Sequence, residues 1–181
     1  MEPEKKIDTF VLKKSVSGLY IEEVIRHDSF DMHMRHFHNS LELYILLEGD
    51  RFYFVEQNTY HIRDKMAILI AKNQIHKTSI AGKNPFHRRL LIQYDEKPFI
   101  DILRNIGCGN ADVFRDKYCS ITEFCNNKWD DLLSVIMNIR KTANETSEFS
   151  ESKLIILATE LLIAVMDNVN ERSIENWKST D

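Results

Sequence analysis

The feature that most constrains this chain is the density of short strand-like segments in its first 95 residues. Residues 10–14, 18–26, 41–49, 51–57, 59–64, 66–71, 76–81 and 88–94 are rich in β-branched and aromatic side chains. Turn-forming residues separate them, including Gly49-Asp50, Gln57-Asn58, Asp64-Lys65, Lys72-Asn73 and the stretch from Gly82 to Pro85. No helix of useful length fits between these segments, which argues against βαβ units. Short strands at this spacing predict an all-β sandwich or a closed barrel.

From about residue 96 the apolar period becomes helical. Pro98 stands near the start and Gly107 at the end of a segment whose stripe is Phe99, Ile102, Leu103 and Ile106. Residues 127–141 place Trp129, Leu132, Leu133 and Ile136 at helical spacing. Residues 150–169 are apolar almost all round. Such a helix needs cover on more than one side. The simplest arrangement packs the helical part, 96–181, on the outside of a β part, 1–95, as one structural unit. The surplus helix face is then left for a second copy of the chain.

The segment RHFHNSLELYILLEGD, 35–50, carries the most chemistry. Side chains alternate between the faces of a strand. His36, His38 and Glu42 share one parity and therefore converge. A fourth ligand could come from His76, farther along the chain. Two or three imidazoles and a carboxylate suit iron, manganese, nickel, copper or zinc. The same residues suit a polar pocket for an organic molecule. His33 has the other parity and does not join them. Tyr44, Phe52, Phe54 and Tyr94 are candidate aromatic walls, although a small barrel also fills its interior with such side chains. The inward parity of 51–57 stays open, because a single bulge reverses it. Of Arg88 and Arg89, alternation lets only one point inward, where it could pin an anion. His61 and His87 read as surface histidines.

Composition excludes several classes. The net charge is −4, and no Lys or Arg run offers a phosphate-tracking stripe. Three cysteines, Cys108, Cys119 and Cys125, match no zinc spacing, and the odd number fits a reducing compartment. The N-terminus lacks an apolar signal core. The longest apolar run, Leu154 to Met166, is too short for a bilayer. These features predict a cytoplasmic protein without membrane contact. There is no nucleophile elbow, and the five glycines form no phosphate-cradling loop.

HFHNSLELYILLEG followed by AILIAKNQIHKT resembles the two motifs of the cupin superfamily. More closely, it resembles the N-terminal effector-sensing domain of AraC-type bacterial transcription regulators. In that family an H-x-H-x-x-x-E-L strand leads to a turn matched here by Leu47-Glu48-Gly49, and an apolar strand ends near a histidine, matched by Ile75-His76-Lys77-Thr78. The resemblance runs from about residue 18 to 170. Asp64-Lys65 replaces the family's Gly-Asp turn, and Ala71-Lys72 stands where a proline is common. Both departures weaken the match to enzymatic cupins.

The resemblance implies a cupin-like double-stranded β-helix, or jelly-roll barrel, followed by about three helices packed outside it. It implies a non-enzymatic sensor that binds a small polar metabolite such as a sugar. His36, His38, Glu42, Tyr44, Phe54, His76 and Tyr94 would line the pocket, and the C-terminal helices would form a homodimer. No cofactor is expected, though a divalent transition metal on His36, His38, Glu42 and His76 stays open. DNA would be read only by a helix-turn-helix domain, and residues 97–175 offer no recognition helix. The chain, which stops at Asp181, reads as the sensor part of a longer regulator. Two alternatives remain: a metal-dependent cupin enzyme, such as a dioxygenase or isomerase, and an interaction module with a filled barrel.

Overall fold

One long strand organises the molecule, whose computed structural model describes residues 8–28, 30–32, 34–107 and 120–178. This strand, β3, runs from Ser40 to Val55 and belongs to two sheets. Its first half lies between β7 (His87–Asp95) and β5 (Met66–Ile70). β7 pairs onward with β2 (Leu19–Arg26), and β2 with β1 (Thr9–Val16). Beyond β5 lies the short β8 (Ile121–Glu123). The second half of β3 pairs with β4 (Asn58–Arg63) on one side and β6 (His76–Ile80) on the other. All these pairings are antiparallel. The inner faces of the two sheets meet through Tyr44, Leu46, Ile68 and Ile70 from one and Tyr53, Val55 and Ile62 from the other. The arrangement is a double-stranded β-helix.

The sequence separates residues 41–49 from 51–57 by a turn at Gly49-Asp50. The structure instead continues one strand through it. The pairing with β7 slips between Leu46 and Glu48, and Gly49 takes φ +99°. A bulge adds one residue and bends the strand. Before it the even residues Glu42, Tyr44 and Leu46 are buried on the inner face. After it the odd residues Arg51, Tyr53 and Val55 are.

Three helices follow among the described residues: α1 (Glu96–Asn105), α2 (Asn126–Ala143) and α3 (Ser150–Lys178). They cover the outer face of the larger sheet. Ile21, Leu43, Ile45, Leu90 and Ile92 pack there against Phe99, Trp129, Leu132, Ile136, Leu154, Leu161 and Val165. Each such side chain contributes about 1.5–3 kcal/mol when fully buried. A buried carboxylate stitches the layers together. Glu23 of β2 accepts from Arg88 at 2.7 Å and from Arg140 of α2 at 2.6 and 2.9 Å. Ile156 on α3 remains 65 % exposed, and Ile106 beyond α1 is 54 % exposed. No helix among the described residues is long and apolar enough to cross a membrane.

Candidate functional site

Two of the imidazoles, His36 and His38, enter the barrel from a strap, while His76 opens β6. His36 and His38 precede β3, where the sequence places them on the strand itself. Backbone bonds hold the strap to β6 and to the turn before it: His36 and His76 exchange N–H···O bonds of 3.0 and 2.9 Å, and Asn73 N–H donates to His38 O at 2.8 Å. Alternation still operates along the strap, because Phe37 is exposed while His36 and His38 turn inward. The His36 ring lies 4.3 Å from His76, and His38 lies 5.0 Å from His76, between centroids. One nitrogen from each of the three falls within 4.8 Å of the others. His33, Cys108 and Cys119 lie outside the described residues, and Cys125 is exposed.

Glu42 lies beneath them, 2 % exposed. Its carboxylate accepts from His38 Nε2 at 2.8 Å, Tyr53 Oη at 2.9 Å and Gln93 Nε2 at 3.1 Å. Burial alone would raise its pKa. The His38 bond and the charges of His76 and His38 outweigh burial and hold it at about 2. The bond to Glu42 raises the His38 pKa, against the effect of burial. Nδ1 lies 2.9 Å from the Ser40 carbonyl and 3.1 Å from the Ser40 hydroxyl, and Nε2 faces the carboxylate. Burial and the neighbouring His76 lower the His36 pKa. His76 donates Nδ1–H to Gln74 O at 2.8 Å. Its buried Nε2 has no hydrogen-bond partner and lies 3.7 Å from Glu42.

Tyr44 joins this interior, with its ring edge-on to Tyr53 at 5.1 Å. Three expected wall residues do not. Phe54 falls on the outer face of the smaller sheet, under Lys77 at 5.1 Å, because the bulge reversed parity between it and Tyr44. Tyr94 has the opposite parity to Gln93 on β7. It is buried on the helix-covered face against Phe99 and donates to Ala158 O of α3 at 2.9 Å. Phe52 is likewise outward and 37 % exposed. Arg89 is the inward member of its pair, while Arg88 turns to Glu23.

His87 is a further correction. His61 is exposed and paired with Asp50, but His87 is buried on the inner face, opposite Arg26. Burial, together with Arg51, Arg26 and Arg89, pushes its pKa down to about 4, and only its bond to Pro85 O opposes this. The folded state therefore resists protonation. The stability of the neutral ring is intact above pH 6.5 and is lost as the pH falls from 6.5 to about 4. Across that window the loss should be about 3 kcal/mol. His87→Asn, which keeps a donor for Pro85 O, should flatten this part of the stability profile in urea titrations. His38 acts with the opposite sign in both proteins and cancels in the difference. Parallel profiles for variant and wild type would refute the assignment.

The sequence reading missed Tyr53, Gln93, Arg26 and Arg51. Gln93 was detectable through register, since it pairs directly with Glu42. Tyr53 and Arg51 share a face with Val55, a pattern that points inward once the bulge is placed.

Residues 21–107 match the family model of the AraC-like ligand binding domain. No curated protein matches the chain significantly. Solved structures with similarity are distant. An RmlC-like cupin family protein with a double-stranded β-helix fold, from Methanocaldococcus jannaschii, is 11 % identical, with 52 % of this chain and 85 % of that one covered, at TM-score 0.42. A cupin superfamily protein from Desulfitobacterium hafniense is 15 % identical, with 52 % and 83 % covered, at TM-score 0.43. A cupin protein from Bacteroides fragilis is 20 % identical, with 44 % and 67 % covered, at TM-score 0.40.

Proposed function

Because residues 21–107 carry an AraC-like ligand-binding domain, we propose that this chain is the effector-sensing and dimerising part of a bacterial transcription regulator, without enzymatic activity. The supporting observation is the polar cluster on the inner barrel face, with Glu42, Tyr53 and His76 buried and His38 and Gln93 half-buried. It presents both donors and acceptors, as a small polar metabolite such as a sugar requires. Binding shifts an equilibrium only if the two states differ in affinity. DNA would then be read by a helix-turn-helix domain whose placement the sensor biases.

The test is a thermal-shift screen of sugars and polyols on the purified protein. A ligand at a hundred times its Kd adds about 2.7 kcal/mol of stability. The gain should disappear in His76→Ala and Gln93→Ala. A ligand that stabilises those variants as much as wild type would place recognition elsewhere.

The dimer would form on the helical face. Ile102, Ile106, Ile155, Ile156, Thr159 and Ile163 line an apolar groove of about 490 Å³ between α1 and α3. Ile156→Lys should convert a dimer to a monomer in light scattering. A wild-type protein that stays monomeric at high concentration would defeat this part of the proposal.

One observation favours a second reading, a metal-binding cupin. Three imidazole nitrogens converge, and the buried His76 Nε2 makes no hydrogen bond, so the donor set fits a divalent transition metal. His36, His38 and His76 would hold it, with Glu42 adjacent. The metal would supply Lewis acidity to a bound oxygen ligand. His38 would have to release Glu42 first, since both its nitrogens are already engaged. Elemental analysis of protein purified without chelator decides the matter. Stoichiometric metal that is lost in His36→Ala would establish this reading, and its absence would remove it.

A further inference from the structure

A second polar cluster lies between the sheets, and its donors outnumber its acceptors. Among the described residues, Arg26 Nε, Arg51 Nη1, Arg89 Nη1 and Tyr44 Oη are buried and make no hydrogen bond. The pairing explains why they meet. Arg26 pairs with His87, Arg89 with both Val24 and Leu46, and Tyr44 with Leu91, all on the inner face of the larger sheet. Arg51 reaches in from the smaller sheet. The Arg89 guanidinium lies 5.9 Å from the centre of the Tyr44 ring.

The nearby acids leave these four donor atoms without an acceptor. Glu22 is the buried carboxylate here, and it already takes Arg89 and, at 2.6 Å, the Tyr20 hydroxyl. Asp8, half-buried at the rim, stands 3.3 Å from Arg26 Nε but off the hydrogen-bonding direction. Asp31 is exposed and spends Oδ1 on Ile80 N–H at 2.7 Å. Arg51 is wholly buried, and its partners are neutral: Thr78 Oγ1 at 2.8 and 3.2 Å and Phe30 O at 2.6 Å. Phe30 also lies 3.4 Å from the Arg26 guanidinium, ring centre to Cζ. Burial lowers the pKa of Arg26 and Arg51. A buried guanidinium without a counter-ion is costly, and unsatisfied buried donors call for a missing acceptor.

We propose that Arg26, Arg51, Arg89 and Tyr44 form an anion subsite that takes the carboxylate of a small hydroxylated acid, such as a sugar acid. The inference rests on the sensor reading and narrows its effector class. An ionised carboxylate offers about four lone-pair sites, which matches four unpartnered donors. Each arginine would contribute its one unpartnered nitrogen, while its other nitrogens on Arg51 and Arg89 stay on Thr78, Phe30 and Glu22 and hold the guanidinium planes in place. Tyr44 and Glu42 are two residues apart on one strand, about 7 Å. One short molecule can therefore place its carboxylate on the arginines and its hydroxyls on Glu42, Gln93 and His76.

The test compares D-galacturonate, D-galactose, acetate and inorganic phosphate with chloride at matched ionic strength. Calorimetry and thermal melts would be run on wild type, Arg51→Met and Tyr44→Phe. Arg51→Met strands no carboxylate, and Tyr44→Phe removes only an unpartnered hydroxyl and keeps the ring. Galacturonate and acetate should stabilise wild type beyond chloride. Galacturonate affinity should fall about 10- to 100-fold in Arg51→Met and about 5-fold in Tyr44→Phe. If galactose and galacturonate bind alike and neither variant alters either, the subsite is wrong while barrel sensing stands. If carboxylates act no differently from chloride, the subsite is also wrong. Stabilisation by phosphate alone overturns the carboxylate assignment. If acetate matches galacturonate and His76→Ala changes neither, the subsite survives and the hydroxyl-recognising cluster falls.

Discussion

Gly49→Ala should destabilise the protein by about 3–5 kcal/mol, measured by urea denaturation. Two costs combine. Gly49 has φ +99°, a region that L side chains rarely adopt. An added Cβ would also come within 2.5 Å of Phe86 O and 3.0 Å of His87 Cα. Those are backbone atoms, so no rotamer change relieves the clash. Relief requires β3 to move away from β7 at the bend, which disturbs the parity change that turns Arg51 and Tyr53 inward. Overpacking of this kind typically costs about 1–3 kcal/mol, and a strained non-glycine φ about as much again. By contrast, Gly82, although it has φ +78°, has open space where a Cβ would stand, so Gly82→Ala should cost only the conformational share. A Gly49→Ala protein within 1 kcal/mol of wild type would show that this bend is not rigid, on the scale where single substitutions typically cost about 1 kcal/mol.

Glu42→Ala should cost a similar amount, about 3–5 kcal/mol, by removing one partner from a buried charged network. Three donors would lose their acceptor at once: His38 Nε2, Tyr53 Oη and Gln93 Nε2. Glu42→Gln should cost less, because its amide oxygen still accepts one of them. The comparison has a pH signature. The folded pKa of Glu42 is depressed from 4.5 to about 2. Its stabilisation is therefore complete above pH 4.5 and is lost as the pH falls toward 2. The wild-type advantage over Glu42→Gln should shrink across that window. A difference independent of pH would mean that the carboxylate is not held ionised by His38. Both variants should also lose the thermal shift given by any hydroxyl-bearing ligand.

Several local patterns were legible without coordinates. The strands at 18–26 and 88–94 lie within two residues of β2 and β7, because β-branched runs between turn residues leave few options. The convergence of His36, His38 and Glu42 was legible as well, since alternation is a property of extended chain whether or not it is paired. β8 was not legible: three residues, Ile121–Glu123, carry no periodicity, and only pairing with β5 makes them a strand. Tyr94 was misplaced for a related reason. Its parity puts it on a face with Leu90 and Ile92, and local sequence cannot tell which buried face is lumen and which is helix contact.

The sequence by itself determined the two-part architecture, the apolar face that the helices must cover, and the polar residues that share a parity at the start of β3. These are matters of period and hydrophobicity, and both act over a few residues. Only the tertiary structure decided how parity changes across the bulge at Leu46 and Glu48, which brings Arg51 from one sheet toward Arg26 and Arg89 of the other. It also decided that His87 is buried and that Phe54 is not. Those outcomes depend on how two sheets bend and close on each other, and the free energy of burying a charge or a ring is set by that closure.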